Sequence, residues 1–132
     1  MTPYAMVVQF NQEVLNIIPR PKQLQNSEEV GLSITQLHEE LKELGEAWAL
    51  QDYVAAIDAV IDMMYFAQGI LYKMGISDDE YQKIFEIVHA ANMSKKPGVK
   101  EGREGFDAVD AVKPEDFVSP EDAIMRILGE IQ

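Results

Sequence analysis

Two aspartates interrupt an otherwise apolar stretch of the sequence. Residues 53 to 75 read YVAAIDAVIDMMYFAQGILYKMG, enough for about six helical turns, with Asp58 and Asp62 four residues apart. A helix that is apolar on all sides is expected to be buried. A buried carboxylate is very costly unless it is paired, protonated or bound to a metal ion. These two aspartates are therefore candidates for a metal or substrate site.

A second acidic group lies on the preceding segment, which has the apolar spacing of a helix over about residues 28 to 50. Its predicted core stripe consists of Leu37, Leu41, Leu44 and Trp48. Glu40 and Glu43 lie along the flank of this stripe, with Glu40 bordering the core, and Glu39 lies nearer the far side of the helix. The short connection at residues 51–52 makes the two helices antiparallel neighbours. We therefore expect the glutamates to face the two aspartates across a helix–helix seam.

The chemistry of such a cluster depends on a cation. Several carboxylates gathered without compensation repel one another, and some must protonate. A divalent cation removes that conflict, and ligation by oxygen alone suits Mg²⁺ or Mn²⁺. The simplest alternative is that the glutamates form a solvated helix surface. A di-iron carboxylate bundle is another alternative, which normally uses a Glu-x-x-His pair; His38 directly precedes Glu39, and His89 is interpreted as a packed or capping residue rather than a ligand.

Composition limits the class of protein. The 132 residues include 11 basic and 23 acidic side chains, for a formal charge of −12, which disfavours nucleic acid as a partner. The absence of cysteine excludes disulfides and thiolate metal sites. The N-terminal sequence lacks the pattern of a signal peptide. Two aspartates, each costing roughly 2.5–3.5 kcal/mol in a bilayer, argue against a membrane span at residues 53–75. We expect a cytoplasmic protein that binds neither nucleic acid nor membrane.

The pattern along the chain predicts one all-α domain spanning residues 1–132. Helices are expected over residues 4–18, 28–50, 53–74 and 77–93, followed by a loop over 94–118 and a short C-terminal helix over 119–132. Two signals are predicted to end helices: Pro19 and Pro21 after the first helix, and Gly75 after the third. The predicted helix starts are marked by Ser27 and Asp52 as N-caps, by a Ser77–Glu80 capping box and by Ser119-Pro120 before the last helix.

The predicted core, about residues 4–93, is a four-helix-bundle-like arrangement of antiparallel helices. A single copy would leave apolar helix faces uncovered. We therefore expect a homodimer or homotetramer, with substrate sites near the interface. Phe10 and Trp48 could stack on a nucleotide base, but their places in apolar stripes favour the core.

The acidic residues carry a resemblance to a known family. Glu40-Leu41-Lys42-Glu43, followed by an acidic pair on an apolar helix, resembles the ExxE…ExxD signature of MazG-like all-α nucleoside triphosphate pyrophosphohydrolases, which include phosphoribosyl-ATP pyrophosphohydrolase and the dimeric dUTPases. Asn92-Met93-Ser94-Lys95 is similar to the N-x-x-K that closes the fourth helix in the phosphoribosyl-ATP-pyrophosphohydrolase-like branch. The resemblance runs from Phe10 to this segment. The chain departs from ExxD at one position, since Ala59 stands at the usual glutamate and Asp58 precedes it.

The resemblance implies an activity and a set of site residues. The implied Mg²⁺ ligands are Glu40, Glu43, Asp58 and Asp62. Water would attack the α-phosphorus of a nucleoside triphosphate, oriented or deprotonated by Glu39 or Glu40, and release a nucleoside monophosphate and pyrophosphate. This activity would serve nucleotide-pool control.

Three further residues are candidate substrate contacts. Lys95 is assigned to phosphate, with an interaction with the C-terminal dipole of the fourth helix as the alternative. Asn92 would bind phosphate or sugar, or close the helix, and Asn11 is a further candidate. The alternative function is a non-catalytic helical oligomer that binds metal or nucleotide as a regulator.

Overall fold

The computed structural model describes residues 1–105 and 110–129. These residues form five α-helices and one antiparallel pair of two-residue strands, which confirms the all-α class. In chain order the elements are α1 (Pro3–Glu13), α2 (Ser27–Ala49), α3 (Tyr53–Lys73), α4 (Asp78–Met93), β1 (Lys96–Pro97), β2 (Ala111–Val112) and α5 (Glu121–Gly129). The predicted loop and C-terminal helix extend into residues 106–109 and 130–132, which lie outside the described residues.

The chain divides into two compact units, Met1–Asp78 and a second that begins at Asp79. In the first unit, α2 packs extensively against α3, and α1 packs against α3. A tight turn at Gln51, with φ 55°, joins α2 to α3 as antiparallel neighbours. Residues equally distant from Gln51 along the chain therefore lie level with each other on the two helices. The single-domain organisation stays a prediction.

Of the two N-caps predicted for the long helices, the cap of α3 is confirmed and the cap of α2 is wrong by one residue. Asp52 caps α3 as expected, since its Oδ1 accepts a hydrogen bond of 3.0 Å from the Ala55 backbone N–H. The cap of α2 is Asn26 and not Ser27, because the Asn26 Oδ1 accepts a hydrogen bond of 2.9 Å from the Glu29 N–H. Both are short polar side chains of the kind that satisfy the exposed N–H groups of a first turn.

Gly75 ends α3 as predicted, in a left-handed conformation with φ 88°. The Gly75 N–H donates to the Tyr72 carbonyl at 2.9 Å and the Ile76 N–H to the Leu71 carbonyl at 3.1 Å, which is the hydrogen bonding of a Schellman motif. A Cβ atom at position 75 would also lie 2.7 Å from the Pro21 carbonyl oxygen. Glycine is required here by both backbone conformation and close approach.

The first helix is shorter than predicted, and the expectation that Pro19 and Pro21 end it is wrong. It ends at Glu13, and Asn16 adopts a left-handed φ of 57°. Asparagine tolerates this conformation better than most residues, so the chain turns before either proline. The Tyr72 hydroxyl then fixes the connection by donating to the Ile17 carbonyl at 2.6 Å.

Half of the predicted core stripe of α2 is removed from water: Leu37 and Leu44 are half-buried, whereas Leu41 and Trp48 are exposed. The buried residues of α2 are Ser33 and Ala47, and Glu40 on the same face is half-buried. Leu41 is instead 55% exposed and Trp48 73% exposed. The more buried face of α2 thus combines small and polar side chains with Leu37 and Leu44.

Apolar side chains on the outer surface of α2 and α3 form what we call the apolar band. It consists of Leu41, Trp48, Ile57, Ile61 and Met64, each of which is exposed in the single chain. Among the described residues, α3 is also the one helix long and apolar enough to cross a membrane, a criterion that core helices of soluble proteins pass as well.

The second unit contains α4, the strand pair and α5. The α4 helix begins directly after Ser77 and ends at Met93, close to its predicted limits. Within the segment predicted as loop, Lys96 pairs with Val112 and Pro97 with Ala111, and Arg103 forms an ion pair of 2.9 Å with Asp110. The Ser119 hydroxyl accepts a hydrogen bond of 3.3 Å from the Glu121 N–H, so α5 begins near the predicted Ser-Pro signal.

Candidate functional site

The structure brings the four predicted metal ligands together on the α2–α3 seam. Glu40 and Asp62 are equally distant from Gln51 along the two helices, so they lie level with each other. Glu43 lies one turn from Glu40, close enough for the two carboxyl groups to share a proton, and both Asp58 and Asp62 act electrostatically on Glu40. The helical spacings and the antiparallel turn thus bring these carboxylates near enough to act on the charge of Glu40, and their role as metal ligands stays a prediction.

The electrostatics of the cluster are those of crowded carboxylates. Burial raises the pKa of Glu40 to about 7, and hydrogen bonding to Glu43 and the negative charges of Glu43, Asp62 and Asp58 add to the rise. Burial also raises the pKa of Asp62, with the charges of Asp58 and Glu43 adding to it. Near neutral pH Glu40 is therefore about half protonated when no cation is bound.

The residues of the cluster fit a divalent cation. The Glu40 Oε2 atom is buried and has no hydrogen-bond partner, so it is an acceptor that lacks a positive or donating neighbour. Every candidate ligand is a carboxylate oxygen, the donor that Mg²⁺ and Mn²⁺ prefer. Among the described residues, no three acidic or histidine side chains lie close enough together to hold a metal ion. Like charges without a cation between them are expected to stay apart in this way.

Asp58 and Asp62 are not equivalent. Asp62 is half-buried, whereas Asp58 is exposed. Ala59, at the position where the resembled signature has glutamate, is 2% exposed. The chain therefore has a methyl group on the buried face of α3 and a carboxylate one residue earlier, at the edge of the cluster.

Glu39, the other candidate for activating water, is exposed on α2. Its neighbour Glu40 combines partial burial with a pKa of about 7. Both remain candidates for this role.

Asn11 is buried in the first unit, at 3% exposure, and lines a cavity of about 140 Å³ with residues of α2 and α3. Phe10 lines the same cavity and contacts Tyr65 edge-to-face, with ring centroids 5.4 Å apart. Sequence reasoning did not assign Ser33, Gln36 or Gly69, which also line it. A polar or small residue within a helix gives no signal of a cavity until its neighbouring helix is known.

Asn92 and Lys95 belong to the second unit, and the structure places them within it. The Asn92 carbonyl accepts a hydrogen bond of 3.1 Å from the Lys95 N–H just after α4, so this segment does close the helix. The Lys95 ammonium lies 5.9 Å from the centre of the Phe117 ring, and that of Lys113 lies 5.2 Å from it. The sequence did not indicate that Lys113 and Phe117 would accompany Lys95.

One family model matches the chain, and its description is phosphoribosyl-ATP pyrophosphohydrolase. The match covers residues 9–92, which is well over half of the 132 residues. It contains the whole of α2 and α3 with all four clustered carboxylates, as well as Asn11 and Asn92. No curated protein matches the sequence. The chain belongs to the phosphoribosyl-ATP pyrophosphohydrolase family, within the MazG-like all-α superfamily, and is thus a pyrophosphohydrolase that acts on a nucleotide.

Proposed function

We propose that the protein is a Mg²⁺-dependent nucleoside triphosphate pyrophosphohydrolase that converts a (deoxy)nucleoside triphosphate to the monophosphate and pyrophosphate. The observation that carries this proposal is the carboxylate cluster on the α2–α3 seam, within the part of the chain that matches the family. The formal charge of −12 would repel a triphosphate, so a cation between the carboxylates and the phosphates also meets an electrostatic requirement.

Each member of the cluster has a distinct part in the proposed mechanism. Glu40, Glu43 and Asp62 would hold the cation, with Asp58 contributing from the edge. When bound, a divalent cation neutralises these carboxylates and makes the α-phosphorus easier to attack; Mn²⁺ would serve as Mg²⁺ does. Water then forms the new bond to the α-phosphorus, the α–β anhydride bond breaks, and the water proton passes to Glu39 or Glu40.

Two residues at the end of α4 are the proposed substrate contacts of the second unit. We assign Lys95 to the phosphates and Asn92 to phosphate or sugar. For Asn92 the support is that it lies within the family match, and for Lys95 it is that the ammonium lies beside the Phe117 ring with Lys113 nearby. An ammonium group held near an aromatic face loses less conformational freedom when it binds an anion.

We further propose that the protein is a cytoplasmic homo-oligomer, a dimer or tetramer. The apolar band of α2 and α3 supports this, because Trp48 at 73% and Ile61 at 53% exposure would be covered by a second copy. A membrane is the less favoured cover, since Asp58 and Asp62 interrupt α3.

A substrate screen tests the catalytic proposal against its alternative. The protein is incubated with Mg²⁺ and a panel of canonical deoxynucleoside triphosphates, phosphoribosyl-ATP and modified nucleotides, and both pyrophosphate and monophosphate are measured. We expect stoichiometric release of the two products. If no nucleotide is hydrolysed, and Asp62→Ala changes neither metal affinity nor thermal stability, the catalytic proposal is wrong. Binding of metal or nucleotide without hydrolysis would instead favour a regulatory oligomer.

A further inference from the structure

Two lysines of the second unit lie opposite each other at the end of the strand pair. The antiparallel register pairs Lys96 of β1 with Val112 of β2. Lys95 precedes the first of these residues and Lys113 follows the second, so the same register sets the two lysines across from each other. Side chains at opposite positions of an antiparallel pair project to the same face and lie close together.

Both ammonium groups lie beside the same aromatic ring. The Lys95 Nζ is 5.9 Å from the centre of the Phe117 ring, and the Lys113 Nζ is 5.2 Å from it. The Phe117 N–H donates to the Pro114 carbonyl at 3.1 Å, in a turn that returns the ring to the vicinity of Lys113. An aromatic ring attracts cations, so it orients both side chains toward one place. It has no formal charge, however, and does not neutralise them.

In the part of the chain that the structure describes, neither lysine forms an ion pair with a carboxylate. The ion pairs seen there are Arg20–Glu29, Lys42–Glu46, Lys83–Asp79 and Arg103–Asp110. Like charges directly opposite each other on a strand pair are destabilising, and the chain has 23 acidic side chains that could have provided a partner. An anion from outside the chain would remove the repulsion between the two lysines.

We propose that Lys95 and Lys113 together bind an oligophosphate anion, which makes Lys113 a further phosphate-binding residue. Two ammonium groups require a ligand with at least two negative charges, and lysine binds phosphate oxygens as a point charge. The inference rests on the proposed function in one respect, since there the oligophosphate is the phosphate chain of the nucleotide or the pyrophosphate released from it. The family match ends at residue 92 and does not include Lys113.

Pyrophosphate binding in EDTA provides the first test, because without a divalent cation the carboxylate cluster repels the anion. We expect isothermal titration calorimetry at low ionic strength to show binding by the wild-type protein. Lys95→Gln and Lys113→Gln should each raise Kd about tenfold or more, since contacts between charged groups are the stronger ones.

Lys96→Gln is the matched control for this test. It removes the same charge from an exposed residue next to Lys95, but successive side chains of a strand project to opposite faces, so Kd should not change. Absence of binding by the wild-type protein, an unchanged Kd in Lys113→Gln, or an equal rise in Kd in all three variants overturns the inference.

Lys113→Glu separates binding from folding. A glutamate opposite Lys95 makes the pair attractive, so the melting temperature is expected to hold or rise. Pyrophosphate should raise the melting temperature of the wild-type protein but not that of the variant, because a ligand stabilises only the protein that binds it. A folded Lys113→Glu variant that pyrophosphate stabilises as much as the wild type contradicts the proposal.

Steady-state kinetics with Mg²⁺ and the best nucleotide of the substrate screen distinguish the two sources of the oligophosphate. If the lysines bind the phosphate chain of the substrate, Lys113→Gln should raise KM about tenfold. If they bind the released pyrophosphate, KM should hold and inhibition by pyrophosphate should weaken. A variant unchanged in both respects overturns the inference, while the observed hydrolysis supports the pyrophosphohydrolase proposal. If no nucleotide is hydrolysed, the proposed function fails, and the titration in EDTA still decides whether the two lysines bind an oligophosphate.

Discussion

Glu40 lies in a partly buried position among like charges, and both conditions raise its pKa, to about 7. A carboxyl group with this pKa is about half protonated at neutral pH in the absence of a cation. It can then share its proton with Glu43, which lessens the repulsion within the cluster. The same side chain is a proposed metal ligand, so protons and cations compete for it.

The first prediction concerns the pH dependence of stability. The pKa of Glu40 is about 7 in the folded protein against the usual 4.5, so the folded state binds more protons than the unfolded state between these values. Stability from this group is fully present below pH 4.5 and is lost as the pH rises through about 7. We expect the melting temperature in EDTA to fall over this range, and Glu40→Gln to flatten the fall. Differential scanning fluorimetry from pH 5 to 8 measures it.

The control for this experiment is Glu46→Gln, on the same helix. Glu46 is exposed, and its Oε1 lies 3.8 Å from the Lys42 Nζ, so the substitution should not alter the dependence of the melting temperature on pH. A wild-type melting temperature that rises steadily from pH 5 to 7 in EDTA would contradict the electrostatics of the cluster.

The second prediction compares two glutamates three residues apart. Glu43→Gln removes a proposed metal ligand and should lower kcat/KM by about 100-fold or more, since even outer-shell changes at metal sites cost about 10–100-fold. Glu46→Gln should leave activity nearly intact, because Glu46 pairs only with the exposed Lys42. Steady-state assays of pyrophosphate release at saturating Mg²⁺ measure both. Equal losses would mean that α2 presents a different face to the substrate.

At the scale of the helix, the five helices and their order were predicted from the sequence. The end of α1 and the buried face of α2 were predicted less well. The end of α1 was misplaced because Asn16, in a left-handed conformation, turns the chain before the prolines. The apolar stripe of α2 indicated which surface is expected to be removed from water, but not whether another helix or a second copy of the chain covers it. In the single chain, Leu37 and Leu44 of that stripe are half-buried beside Ser33 and Ala47, while Leu41 and Trp48 stay exposed.

The candidate site also contains some residues whose proximity could be predicted from the sequence and others whose proximity could not. The four carboxylates could be predicted because spacings of three and four, together with an antiparallel turn, fix which side chains meet. The cavity could not, because Asn11, Ser33 and Gly69 come from three helices whose mutual packing no local pattern specifies. The positions of the Lys95 and Lys113 ammonium groups near the Phe117 ring likewise depend on the tertiary packing of the second unit, which no local pattern specifies.

The third prediction tests the end of α3. Gly75→Ala forces alanine into a left-handed conformation, at a cost of about 1–2 kcal/mol, and brings its Cβ within 2.7 Å of the Pro21 carbonyl oxygen. We expect a loss of unfolding free energy that exceeds the conformational cost alone, measured by urea denaturation. Gly31→Ala, with open space around its Cβ, should be neutral or stabilising. Equal stabilities of the two variants would mean that the connection around Pro21 can move away.

For the molecule as a whole, the apolar band is the main feature that the single chain does not explain. Most of the length of α3 is apolar, yet its outward side chains, such as Ile57 at 46% and Met64 at 51%, remain exposed. Exposed patches of this kind on monomers mark interaction surfaces. A second copy of the chain would cover the band with side chains of the same character.

The fourth prediction uses the single tryptophan of the chain, Trp48, as a reporter of association. Trp48 is 73% exposed in one chain, so covering it in an oligomer should shift its fluorescence to shorter wavelength. We expect a dimer or tetramer by light scattering, and a shift of Trp48 emission to longer wavelength on dilution. Trp48→Glu should dissociate the oligomer and lower the melting temperature, because aromatic residues contribute strongly to interfaces.

Leu24→Glu is the control, since Leu24 is also exposed, at 83%, but lies in the connection between α1 and α2. It should leave the oligomer intact. A wild-type protein that is monomeric at all concentrations would refute the assembly proposal, while the catalytic proposal could still be tested by the substrate screen.

The proton held by Glu40 and Glu43 also bears on the order of events during folding. Many small metal-dependent domains stay unfolded until the ion arrives, because their ligands cannot be gathered without it. Here a proton on Glu40 can reduce the repulsion among the carboxylates in place of an ion, because the pKa of Glu40 is about 7. If the proposed cation binds at this cluster, we expect the α2–α3 seam to form before the cation binds, and the cation then to displace the proton.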